Sequence, residues 1–435
     1  MTGTLDVDPS TLRRIGLGLR STAGELHRGT PAPALSKTAV CLPGLASGAA
    51  CAQLADVLER QARDLAQDMS QFADRLDLAA GSYETADTQL ASGLHFTTDL
   101  VRGGRPKLSG GADFSTGDIA AVDHANRDLL NRMEQQYNQL PDGQVRTDRL
   151  ADIGAIRDAL TVPDSHLLYL SRPETPSEMI PAATAIGDPF NADHVSVTVP
   201  GVTGATRHSI AGMTREAAEL RQQARLIATK IQESEAISTI VWAGYQPPPG
   251  LGAPDTIVDN LAHKGAPKLE SFLNDLAGAA QRPDQTIALF GHSYGSVLAG
   301  IALKDGASAV VDNAVMYGSP GFEATSPAKV GMTDDHFFVM TAPDDQIRSI
   351  GALAPLHGWG SDPNEVIAGS PDRYRFNHLE TGDGWVSLAG EEFHKTASRG
   401  HSGYSRYALE QMTGFNLATI LVDRPDLAVR EVPGG

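Results

Sequence analysis

From Asp164 onward the sequence falls into short apolar runs set apart by helix-length segments, and this alternation restricts the fold more than any other feature. The runs are LLYL (167–170), VSVTV (195–199), STIVW (238–242), TIALF (286–290), NAVMY (313–317) and HFFVM (336–340). Residues 208–233 and 256–280 are the clearest helices between them. Neighbouring parallel strands need long crossover connections, so the pattern predicts a mostly parallel sheet with helices on both faces, an α/β fold. In such sheets ligands gather at the carboxyl ends of the strands.

One of those ends carries Gly291-His292-Ser293-Tyr294-Gly295, directly after TIALF and before the small-residue helix start SVLAG (296–300). A serine on a tight strand-to-helix turn needs neighbours without side chains, because strand and helix approach closely there. Gly291 and Gly295 meet that need. A serine hydroxyl is a weak nucleophile until a base takes its proton, so a histidine is required, with a carboxylate to orient it. On such a turn the chain order is serine, acid, histidine.

HFFVM runs into Thr341-Ala342-Pro343-Asp344-Asp345-Gln346-Ile347. Asp345 is the first choice as acid, since it stands at a strand end with an aliphatic residue two positions on; Asp344 is the alternative. Of the 13 histidines, His357, His378, His394 and His401 follow that acid. His401 comes after the loop ASRG (397–400) and before a final helical stretch with Tyr404, Leu409, Phe415 and Leu417, which favours it as base over His394 and His357. A tetrahedral oxyanion calls for two backbone N–H donors. Tyr294 supplies one by following the nucleophile. The loop Pro200-Gly201-Val202-Thr203-Gly204 after VSVTV supplies the other, Val202 ahead of Gly201. His292 reads as structural. Trp359, Tyr374, Phe376, Trp385 and Phe393 fit a lid, an acyl pocket or simply core.

Composition narrows the partners. The formal net charge of −18 repels phosphate backbones and anionic lipid heads, so nucleic acid is not expected as a partner. No stretch is long and apolar enough for a transmembrane helix, and the start MTGTLDVDPSTLRR lacks the apolar core of a cleaved signal. No His/Asp/Glu cluster has metal spacing and no Gly-rich string matches a nucleotide loop, so neither metal nor cofactor is expected. Cys41 and Cys51 are too few for a disulfide scaffold, though they bracket a small-residue segment and could close a loop outside a reducing compartment.

The chain of 435 residues has room for about two or three domains. Leu12, Ile15, Leu19 and Leu26 trace one amphipathic helix, with Asp8 before Pro9 at its start. Leu54, Leu58, Leu65, Met69, Phe72, Leu76, Tyr83 and Leu90 trace a second, longer one. GGRPKLSGG (103–111) breaks the pattern, and two further helical stretches follow. The expected organisation is a helical hairpin over 1–103, a helical connecting region over 104–163 and the α/β domain over 164–435.

With these residues in hand, Asp164 to Asp423 resembles an actinobacterial α/β-hydrolase family of unassigned biological function. The matching stretches are ADHVSVTVPG (192–201), VWAGYQPP (241–248), FGHSYGS (290–296), YGSPG (317–321), HGWGSDP (357–363) and GHSGY (400–404). The resemblance implies an α/β-hydrolase fold with Ser293 as nucleophile, Asp345 as acid and His401 as base. The first hundred residues resemble helical-hairpin proteins exported by type VII secretion, with Tyr83-Glu84-Thr85-Ala86-Asp87 matching their Y-x-x-x-[DE] signal. They depart from those proteins at the hairpin turn, where CLPGLASGAAC (41–51) replaces the usual W-x-G. The expectation is a serine hydrolase that cleaves a small-molecule or lipid ester through an acyl-enzyme, secreted or envelope-associated by way of a helical secretion partner. An inactive hydrolase-fold binding protein, an acyltransferase and a cytoplasmic location are the alternatives.

Overall fold

The computed structural model describes residue 20, residues 114–250, and residues 259–431 other than 353, 368, 369, 371 and 372. Apart from residue 20, the expected hairpin over 1–103, with Cys41, Cys51, Tyr83 and Asp87, lies outside the described residues. From residue 114 on, the described chain belongs to one unit, Arg105–Gly435.

Its centre is an eight-stranded sheet made of β1 (Ser165–Leu170), β2 (Ala182–Ile186), β3 (His194–Val199), β4 (Ile237–Ala243), β5 (Thr286–His292), β6 (Asn313–Tyr317), β7 (Phe337–Met340) and β8 (Asn377–His378). The spatial order is β1-β2-β4-β3-β5-β6-β7-β8. Both pairings of β2 are antiparallel and those from β4 to β8 are parallel.

Alternation along each strand assigns the two faces. Ile287 and Leu289 share a core with Val195, Val197 and Val199, under α4 (Asn260–Ala279) and α5 (Tyr294–Asp305) through Leu269, Phe272, Leu298 and Ile301. Their neighbours Ala288 and Phe290 point the other way. There they meet Val315, Phe338 and Met340 beneath α3 (Thr206–Ile231) and α8 (Met412–Leu421), through Leu220, Ile227, Phe415 and Ile420. Strands buried on both faces explain why the runs are continuously apolar.

The stretch read as a connecting region is built onto the sheet instead. It holds α1 (Ile119–Asn138) and α2 (Gln144–Ala159). Leu130, Met133, Ile153 and Ile156 pack with Leu167 and Leu170 of β1 and with Ile210 of α3. Asp118 caps α1 by accepting from the Ala120 and Ala121 amides. Farther along α1, Asp123 accepts the Leu167 amide and Asn126 donates to the Leu167 and Leu168 carbonyls, which covers the open edge of β1. The buried Asp152 of α2 accepts from the Ile180 amide and from the backbone and guanidinium of Arg207. These are long-range bonds that no local pattern announces.

Two other segments differ from expectation. Tyr404 and Leu409 stand in a run of turns, and the last long helix begins only at Met412. A separate hairpin, β9 (Gly384–Leu388) and β10 (Glu391–Lys395), fills part of the segment after β8. Among the described residues no helix is long and apolar enough to cross a membrane.

Candidate active site

Because β3, β5 and β7 are parallel, their carboxyl ends open onto one edge. The loops that follow carry Gly201, Ser293 and Asp345 respectively. Ser293 links β5 to α5 with φ 54° and ψ −130°, a conformation rare for a residue with a side chain. Its amide donates to the Tyr317 carbonyl at 3.0 Å, and the residue is only 2% exposed.

The space around the turn explains its glycines. A Cβ on Gly291 would stand 2.8 Å from Ser296 Cα, and one on Gly295 would stand 2.5 Å from the Pro200 carbonyl oxygen. A Cβ on Gly201 would lie 2.4 Å from Ser293 Cβ and 2.9 Å from its Oγ, so this loop's backbone rests against the serine. Within that loop the Thr203 amide donates to Pro248 and the Gly204 amide to Gly201. Val202 is half-buried beside the core. Tyr294 opens α5, whose amides favour negative charge at that end.

Ser293, His401 and Asp345 converge. His401 Nε2 lies 2.8 Å from Ser293 Oγ, and its Nδ1 lies 3.0 and 3.1 Å from the two carboxylate oxygens of Asp345. Burial works to raise the Asp345 carboxyl, but hydrogen bonds from His401, the Ile347 amide and Tyr404 outweigh it and hold the group below its ordinary value. It is therefore ionised at neutral pH. Tyr404 donates to Asp345 Oδ2 at 2.7 Å and accepts the Ala342 amide at 2.8 Å. Asp344 is exposed and accepts the Gly400 amide at 2.9 Å.

His394 and His378 make other contacts. His394 pairs with Asp383 at 3.3 Å on the small hairpin. The buried His378 stacks on Tyr374 and reaches the Pro363 carbonyl through Nε2. His357 is the last residue of the short helix α7 (Ala354–His357), which follows α6 (Ile347–Gly351). Of the aromatic group, Trp359 and Phe376 are core, whereas Trp385 is 67% exposed on the hairpin. Asp259, His263 and Glu323 bring their ligating atoms within 4.8 Å of one another, with His263 Nε2 2.8 Å from Glu323 Oε1 and Lys304 beside the same carboxylate.

Sequence reasoning missed two residues at the centre. Tyr404 reads in the sequence as a position of the final helical stretch, and His292 as structural, with no partner for either. His292 Nε2 lies 2.8 Å from the His401 carbonyl oxygen. No pattern in the sequence signals either contact.

The chain is similar to several known proteins. A family model described as alpha/beta hydrolase matches residues 175–355. A model described as excreted virulence factor EspC, type VII ESX diderm, matches residues 1–95. Uncharacterized proteins of Mycobacterium tuberculosis and Mycobacterium bovis are 34% identical over 223 residues, which cover 51% of this chain and 81% of theirs. Among solved structures, a hyperthermophilic esterase from the archaeon Pyrobaculum calidifontis matches with TM-score 0.34 and 12% identity, over 66% of this chain and 96% of its own. The esterase LipW from Mycobacterium marinum matches with TM-score 0.33 and 11% identity, over 70% of this chain and 91% of its own.

Proposed function

This chain belongs to the α/β-hydrolase family, and we propose that it is a serine hydrolase that cleaves a carboxylic ester of a small molecule or lipid. Ser293 Oγ attacks the ester carbonyl carbon as its proton passes to His401 Nε2. Asp345, ionised, accepts from Nδ1–H and so fixes the tautomer that leaves Nε2 free to take that proton. The oxyanion of the tetrahedral intermediate is held by the amide of Tyr294 and by that of Val202, or of Gly201 before it. His401 then protonates the departing alkoxide, and an acyl-enzyme remains on Ser293. Water, deprotonated by the same imidazole, attacks the acyl carbon; the bond to Ser293 Oγ then breaks, His401 returns the proton to that oxygen, and the acid leaves.

The observation that carries this reading is the unbroken chain from Ser293 Oγ through His401, at 2.8 and 3.0 Å, to a buried carboxylate. The match over residues 1–95 supports export by type VII secretion, with Tyr83 and Asp87 in the signal, a helical secretion partner, and a location outside the cytoplasm or at the envelope. The test is labelling with a fluorophosphonate probe alongside hydrolysis of short-chain p-nitrophenyl esters. Ser293→Ala abolishes labelling, and both Ser293→Ala and His401→Ala lower turnover by about 10⁴-fold or more. Turnover that survives in either variant overturns the assignment.

A further inference from the structure

We propose that His292 is a positioning residue for this reaction: its Nε2–H holds the main chain of His401 in place, so that the imidazole of His401 meets Ser293. The inference rests on the triad reading above. His292 is the last residue of β5, whose backbone pairs with Tyr317 of β6, so its ring stands on the rigid end of the sheet. His401 has no such support of its own, because residues 397–410 form neither helix nor strand.

The contact between them fixes a proton. A carbonyl oxygen only accepts, so the 2.8 Å approach of His292 Nε2 to the His401 carbonyl requires the hydrogen on Nε2. The ring is also clamped on both sides. It stacks on Tyr317 with centroids 5.1 Å apart and 24° between planes, and it lies 5.1 Å from the His401 ring. The Tyr404 ring is 6.2 Å away.

Charge follows from the same enclosure. Burial, then the neighbouring His401 imidazole, pull the His292 pKa down to about 4; Arg406 acts the same way, while the His401 carbonyl and Asp345 oppose them. The ring is thus uncharged at neutral pH and does not repel the imidazolium that His401 becomes in mid-reaction. A residue next to the nucleophile in sequence thereby aligns a base 109 positions farther along the chain.

The full chain tests this through His292→Ala and His292→Gln, with p-nitrophenyl esters as substrate and ¹⁵N-histidine NMR as the second readout. His292→Ala lowers kcat by about tenfold with KM nearly unchanged, as expected for one lost orienting hydrogen bond. His292→Gln, which keeps an N–H donor, recovers most of that loss. In the wild type the His292 ring stays uncharged and protonated on Nε2 between pH 8 and pH 5. Full activity in His292→Ala, no recovery in His292→Gln, or a His292 ring that titrates near 6.5 or carries its proton on Nδ1 overturns the proposal. Ser293→Ala and His401→Ala are run in parallel. If they retain turnover, the triad reading fails and this inference falls with it; if they lose turnover while His292→Ala does not, only this inference fails.

Discussion

The two arms of the site are held by different physics. The nucleophile arm is a steric device: Gly291 near the end of β5, Ser293 at the turn and Gly295 at the start of α5 share one tightly packed stretch of backbone, and nothing larger than hydrogen fits at its glycines. The base arm is an irregular loop held by scattered hydrogen bonds, among them the Gly400 amide to Asp344, His292 to the His401 carbonyl, Tyr404 to Asp345 and Ala342, and Ser405 to Glu216. A steric device is local, so it is written in adjacent residues and fails as a whole when one changes. A hydrogen-bonded loop draws on residues far apart in the chain and loses its parts one at a time.

The largest effect is therefore expected in the elbow. Gly295→Ala places a methyl 2.5 Å from the Pro200 carbonyl oxygen and 2.6 Å from that of Val199. Both are backbone atoms between β3 and its loop, so no flexible side chain can yield. The expected cost is about 3 kcal/mol or more, with fluorophosphonate labelling lost along with it. Urea unfolding reads the first and gel fluorescence the second. A variant that unfolds at the wild-type urea concentration would remove the steric half of the contrast.

The same contrast explains what the sequence disclosed. TIALF, VSVTV and NAVMY announced themselves because strands buried on both faces must be continuously apolar, and the elbow because close approach demands glycine. β2 did not, since its sequence AATAI is rich in a residue that favours helices over strands. β8 is two residues long and carries no period at all. Residues 104–163 read as a connecting region outside the sheet domain because the bonds that tie in their described part, from Asp123, Asn126 and Asp152, reach partners dozens of positions away. In the site, chain order narrowed the base to four histidines and strand position the acid to a pair of adjacent aspartates; the loop before His401 and the helical stretch expected after it then favoured that histidine. Chain order was silent on Tyr404, whose hydroxyl partners belong to a different loop, and this engagement in turns is why the expected last helix starts later.

A middle-sized effect is expected from Tyr404→Phe. The change leaves the Ala342 amide buried without its acceptor and takes one donor from the Asp345 carboxylate, for a loss of about 1–3 kcal/mol at pH 7 and about tenfold in kcat. The pH dependence has a definite sign. Asp345 is held below its ordinary 3.8, so its ionised form contributes stability above that value, and the contribution disappears as pH falls through the lowered one. Removing the tyrosine donor moves the folded pKa back up. The stability gap between wild type and variant should thus narrow from pH 7 to pH 3, without closing, because the orphaned amide remains. Urea midpoints at the two pH values measure this, and a gap that widens in acid would contradict the role given to Tyr404.

The smallest effect is expected at Asp344, and it separates two identical neighbours. Asp345 is buried and meets the imidazole, a tyrosine hydroxyl and the Ile347 amide; Asp344 is exposed and meets one amide, that of Gly400. In Asp344→Ala the Gly400 amide can turn to water, so the attachment is replaced and not merely deleted. Stability should fall by about 0.5 kcal/mol or less, and kcat by no more than about threefold, through looser placement of the His401 loop. Asp345→Asn leaves the fold's shape but offers the imidazole the wrong partner, at a cost of about 10⁴-fold in kcat. The ratio of the two losses, read on the same ester, measures how unequally the base arm leans on its attachments. Equal losses would mean that the acid is shared between the two carboxylates, and that the loop at His401 shifts in solution far enough to use either.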